Sequence, residues 1–146
     1  MEATESFIKF LQSCISPIAL ISGVGLILLS LNNRLARTID KSRMIVNELK
    51  NGQTADKDKK RLELKILFKR SKILRNSIVS ISFSILSSSL IIPVLLLMNL
   101  FHINLESLGI LFFLFSIIGI ILSAVFLFID VILTLKALEF EVKDHI

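Results

Sequence analysis

The stretch Ser16-Pro-Ile-Ala-Leu-Ile-Ser-Gly-Val-Gly-Leu-Ile-Leu-Leu-Ser-Leu-Asn-Asn-Arg-Leu-Ala-Arg-Thr-Ile-Asp-Lys-Ser-Arg43 decides how the rest of the chain is read. Its first half is apolar and carries small residues. Its second half is basic and contains neither Gly nor Pro. A helix that starts in the first half therefore has no reason to stop before the second. Pro17 suits a first helical turn, where its missing N–H has no task. The expected element is one rod that crosses a membrane and continues into water.

Working outward, two more runs are as free of charge as the first. The three uncharged blocks are 10–33, 76–105 and 107–129, and a helix needs only about 20 residues to cross a bilayer. The 146 residues are 53% hydrophobic, with a mean hydropathy of +0.78. That apolar content sits in blocks instead of following an amphipathic period. The reading is an all-α integral membrane protein with three transmembrane helices, organised as a single membrane domain. Its expected parts are an external segment 1–12, a first span 13–32 and a basic hairpin 33–76. A second span 77–100, an external loop 101–106, a third span 107–130 and a tail helix 131–146 follow. Glu2 and Glu5 in place of a positive leader, with no Ala-x-Ala after the apolar run, argue against a cleaved signal peptide. Cys14 is the one cysteine, so an internal disulfide is excluded.

Charge sets the expected orientation. Lys9, Lys136 and Lys143 are the basic residues outside 34–75, which leaves 14 of the 17 between the first and second spans. The positive-inside rule then places that segment and the C-terminus in the cytoplasm, with the N-terminus outside. Within the segment, Leu35, Ile39, Ser42, Val46 and Leu49 repeat at four and three, the spacing of a two-helix or coiled-coil contact. Leu64, Leu67, Phe68, Ser71 and Leu74 form a second stripe. Asn51-Gly52 provides a helix end between them. Together they predict that spans one and two extend into an antiparallel helical hairpin reaching roughly 25–30 Å beyond the membrane.

The Ser-Pro start and the polar exit also carry a resemblance. Ser16, Pro17, Gly23 or Gly25, then Asn33, Arg34, Leu35, Arg37, Ile39, Asp40 and Arg43, make this stretch similar to an uncharacterised family of small bacterial three-span membrane proteins. The resemblance implies topology, a bacterial inner membrane and no defined chemistry. It is specific in this segment only.

Three groups of residues are candidates for function. The first is a polar ring expected at the inner membrane boundary: Asn32, Asn33, Arg34, Arg75, Asn76 and Asp130. An acid at a membrane end is costly unless paired or hydrated. Asp130 is accordingly read as the partner of Arg34 or Arg75, or else as an ion or proton site. The second group is a set of small-residue faces: Ser16, Ala19, Gly23 and Ser30 on span one, Ser80, Ser84 and Ser88 on span two, and Gly119 and Ser123 on span three. Such faces let membrane helices approach closely, and hydroxyls can alternatively line a pore. Packing is the preferred reading. The third group, Arg37, Asp40 and Arg43, is read as an intrahelical ladder or an inter-subunit clamp.

Several functions find no support. Gly23-Val24-Gly25 lies inside a span and cannot be a phosphate loop. His102 with Glu106 is too small a set for a metal site. No nucleophile–base pair is present, so neither an enzyme nor a cofactor or metal site is expected. Nucleic acid is disfavoured because Phe68 is the one aromatic residue among the basic ones of 34–75, too few for a stacking platform. The expected partners are membrane lipid, including anionic lipid at the basic hairpin, and further copies of the chain. The preferred function is a homo-oligomeric structural or interaction protein. The alternative is a small homo-oligomeric channel lined by span two or span one.

Overall fold

The computed structural model describes residues 2–51, 57–101 and 104–143. They form three helices: α1 over Glu2–Lys50, α2 over Lys57–Phe101 and α3 over Glu106–Lys143. All three are long and apolar enough to cross a membrane. At 1.5 Å per residue, the 49 residues of α1 make a helix of about 75 Å, far beyond the roughly 30 Å of a bilayer core. The chain is an all-α, multi-pass membrane protein.

The helix ends follow from local chemistry. The N–H of Asn51 closes the last turn of α1 on the Asn47 carbonyl at 3.0 Å. Asn104 Oδ1 accepts from the Glu106 N–H at 3.3 Å, satisfying one donor at the start of α3. Gly52, expected in the turn after α1, lies outside the described residues. Pro17 is internal to α1, not at its first turn, because the helix already begins at Glu2.

Burial repeats along each helix in alternating steps of three and four. On α1 the buried residues are Cys14, Pro17, Val24, Leu31, Thr38 and Ile45, with Ile21, Leu28, Leu35, Ser42 and Leu49 half-buried between them. On α2 the series is Leu67, Leu74, Ser77, Ile81, Ser84 and Ser88, with Arg70 half-buried. On α3 it is Ser116, Gly119, Ser123 and Asp130. This is the heptad spacing of knobs-into-holes packing. It corrects the expected hairpin seam by one residue: Thr38 and Ile45 are buried where Ile39 and Val46 are only half-buried. It also removes Phe68, which is 72% exposed beside Leu67 at 5%. The reason is that Thr38 Oγ1 donates to the Arg34 carbonyl at 2.9 Å. A hydroxyl satisfied on its own helix occupies a core position as a small apolar residue would.

The chain forms two compact units. One comprises residues 1–29 and 79–122, and the other comprises 30–78 and 123–146. In the first unit, α2 and α3 touch through serine hydroxyls. Ser84 Oγ donates to the Ser116 carbonyl at 2.8 Å, and Ser116 Oγ lies 3.0 Å from Ser84 Oγ and 2.5 Å from Ser88 Oγ. Gly119 makes this approach possible. A Cβ there would sit 2.9 Å from the Ser80 carbonyl oxygen and 2.9 Å from Ser84 Cβ. Phe83 and Phe115 meet edge to face, with ring centroids 6.2 Å apart. Leu26, Leu29, Leu86 and Leu114 are exposed, as lipid-facing side chains are.

The second unit joins α1, α2 and α3 in the same manner. Ser77 Oγ donates to the Ser123 carbonyl at 2.9 Å, and the two hydroxyls lie 2.8 Å apart. Lys41 pairs with Glu63 at 2.8 Å, and Lys60 pairs with Glu48. Those contacts tie the α1 and α2 arms of the hairpin together. The third helix joins them at Asp130, which faces Arg34 of α1 and Arg70 of α2.

Candidate functional site

The polar centre of the second unit is Asp130. Its side chain is 0% exposed. It falls seven residues after Ser123 on the buried face of α3, so the heptad that seats Ser116 and Ser123 also seats a carboxylate. α2 reaches it through Arg70, which lies seven residues before Ser77 on the buried face of that helix. Arg70 Nε donates to Asp130 Oδ1 at 3.0 Å. α1 reaches it through Arg34, whose Nη1 stands 3.7 Å from Oδ2. Three helices thus each contribute one charged group.

The two arginines differ in how they are held. Arg70 is 19% exposed and hydrogen-bonded. Arg34 is 45% exposed and beyond hydrogen-bond range, and Asp130 Oδ2 has no hydrogen-bond partner among the described residues. Nearby hydroxyls do not fill that place. Thr134 Oγ1 donates to the Asp130 carbonyl at 2.8 Å, and Thr38 Oγ1 is committed to Arg34. Burying an ionised carboxylate costs several kcal/mol unless it is paired. A charge-assisted hydrogen bond of about 1.5–3 kcal/mol offsets part of that cost. Two guanidinium groups thus face one buried carboxyl group. The three helices meet at this junction.

The remaining sequence candidates are distributed as follows. Arg34 stands beside Asp130, whereas Arg75, Asn32, Asn33 and Asn76 are exposed. The alternative Asp130–Arg75 pair is therefore replaced by Asp130–Arg70. Arg70 was hidden by its place in a basic run, where it reads as one more solvated cation. Its signal is the step of seven through Ser77 to Ser84. Arg37, Asp40 and Arg43 are exposed, and Lys41 and Lys60 form ion pairs between the hairpin arms. Ser84, Ser88, Gly119 and Ser123 are buried and Ser80 is half-buried, while Ser16, Ala19, Gly23 and Ser30 are exposed. A Cβ at Gly23 would meet nothing within 4 Å. The small face of α1 is thus turned away from the helix's own seam, which continues upward from Leu35 through Leu31 and Val24. Among the described residues no group of His, Cys, Asp and Glu could hold a metal ion, and His102 lies outside them.

A family model described as "Protein of unknown function (DUF2721)" matches residues 14–140. No curated protein and no solved structure matches the chain.

Proposed function

The chain belongs to the DUF2721 family, and from its geometry we propose that it is a homo-oligomeric structural or interaction protein of the bacterial inner membrane. The observation that carries this reading is the α1 face of Ser16, Ala19, Gly23 and Ser30, exposed throughout and open at Gly23. Helices in lipid gain little from hydrophobicity when they associate and rely on close packing at small residues. A second copy of α1 is the natural occupant of that face. The basic segment 33–76 and the C-terminus lie in the cytoplasm, the N-terminus outside, following the Lys and Arg asymmetry. Anionic lipid meets the basic hairpin.

A channel lined by the serines of α2 has less to recommend it. Ser84 and Ser88 are bonded to Ser116 inside their own unit, and Ser87 is buried. A pore would need those hydroxyls facing water. No catalytic role is proposed, because the buried charges are engaged with one another.

The test is mass measurement of the full chain in nanodiscs and in mild detergent. The natural sequence gives an oligomer, and Gly23→Leu gives smaller species with unchanged helix content. A natural chain that stays a monomer in every medium overturns the proposal.

A further inference from the structure

The first unit contains a cavity of about 320 Å³ among all three helices. Its wall spans residues 13–20 of α1, 91–98 of α2 and 106–113 of α3. Each helix contributes a step of seven residues, which is about 10 Å of rise. The wall therefore follows the helices, the direction in which acyl chains lie in a bilayer. It exists because its wall has small residues where helices face each other. At Gly109 a Cβ would meet Val94 Cγ1 only at 3.9 Å, so the glycine leaves room that a larger side chain would take. The lining is apolar except for Ser13, Ser16 and Glu106, and Ser13 Oγ already donates to the Lys9 carbonyl at 2.9 Å.

Glu106 marks one end of the cavity. It is the first residue of α3, where the chain enters its third apolar run. Its side chain forms no ion pair among the described residues. An apolar slot with a carboxylate at its mouth matches a molecule with an acyl chain and a cationic head. The volume lies at the small end of the roughly 300–1,000 Å³ usual for ligand sites, which suits one chain better than a large ring system. We infer that this cavity is a binding site for a phospholipid with a primary ammonium head group, of the phosphatidylethanolamine type. The head-group end of one acyl chain lies between the helices and the ammonium group donates to Glu106. A head group of net negative charge meets like charge there and is disfavoured.

The experiment uses the full chain in nanodiscs of equal phosphatidylethanolamine and phosphatidylglycerol, transferred to mild detergent and weighed intact. The natural sequence retains one phosphatidylethanolamine per chain, preferred over phosphatidylglycerol by about three-fold, the worth of one exposed ion pair. Glu106→Gln keeps a lipid and loses the preference. Gly109→Leu and Leu20→Phe each fill the slot from a different helix and retain no lipid. Circular dichroism on both variants separates a filled slot from a failed fold. Equal retention of the two lipids by the natural sequence overturns the head-group assignment. Retention undiminished in both folded filling variants overturns the site.

Discussion

Gly119 and Gly23 occupy the same kind of sequence and different kinds of place. Gly119 precedes Ser123 by four, and Gly23 follows Ala19 by four. Yet a Cβ at Gly119 would press on the Ser80 carbonyl oxygen and on Ser84 at 2.9 Å, whereas one at Gly23 would meet nothing. The difference lies in the partner. α2 presents Ser84 and Ser88 to α3, so small size is matched by hydroxyls that bond across the gap. α1 turns Val24 and Leu31 inward and leaves its small residues outside. Small-residue spacing says that a helix can be approached closely. It does not say by which helix.

The largest expected effect breaks the buried face at its charged end. Asp130→Ala leaves Arg70 confined without its carboxylate, and removing one partner of a buried pair costs about 3–5 kcal/mol. Thermal unfolding in mild detergent should show the full loss for Asp130→Ala. The double variant Asp130→Ala, Arg70→Ala should lose less than the two single losses combined, because they share one interaction. Additive losses would mean that the 3.0 Å bond contributes nothing.

Gly119→Ala comes next. The new methyl has to displace backbone at Ser80, and overpacking of this kind costs about 1–3 kcal/mol. Unfolding in detergent checks it, with Gly109→Ala as the control. At Gly109 the contact of 3.9 Å is ordinary van der Waals distance, and little change is expected. Ser84→Ala is smaller again. It removes the bonds to Ser116 while Ser88 keeps a bond to the Ser116 hydroxyl. A loss of about 0.6–1 kcal/mol is expected, in line with interhelical hydrogen bonds in membranes.

These sites also mark what could be seen in the sequence. Three helices were legible because uncharged runs of about 20 residues or more have the length of a spanning helix, which satisfies its backbone groups within itself. The hairpin was legible from Asn51 and the apolar steps around it. Its seam was misplaced by one residue, because Thr38 looks polar in a sequence and is buried once its hydroxyl bonds to Arg34. Phe68 was misjudged for the opposite reason: it is large and apolar, yet on the wrong side of the helix. Asp130 stood out as an acid at the end of an apolar run. Arg70 did not, since one arginine among fourteen cations carries no mark until the heptad through Ser77 is followed back to it. Which glycine is enclosed depends on a neighbouring helix, and a one-helix pattern holds no information about its neighbour.

The smallest effect is the one that sharpens the comparison most. Gly23→Ala adds a methyl into open space on α1, so the single chain has no contact to lose. Alanine favours helix over glycine by up to about 1 kcal/mol, and a helix already held by its seam at Val24 and Leu31 should realise only part of that. The expected change in unfolding of the dilute, monomeric chain is within about 0.5 kcal/mol. At higher concentration the outcome should differ, because a partner seated on the α1 face stabilises by mass action and a methyl at the point of closest approach weakens it. The natural chain should therefore gain stability with concentration, and Gly23→Ala should gain less. Gly119→Ala should be destabilised equally at every concentration, since its neighbours belong to its own chain. If Gly23→Ala instead loses as much as Gly119→Ala in the dilute chain, α1 packs by its small face within one molecule, and the exposed surface assigned to assembly does not exist.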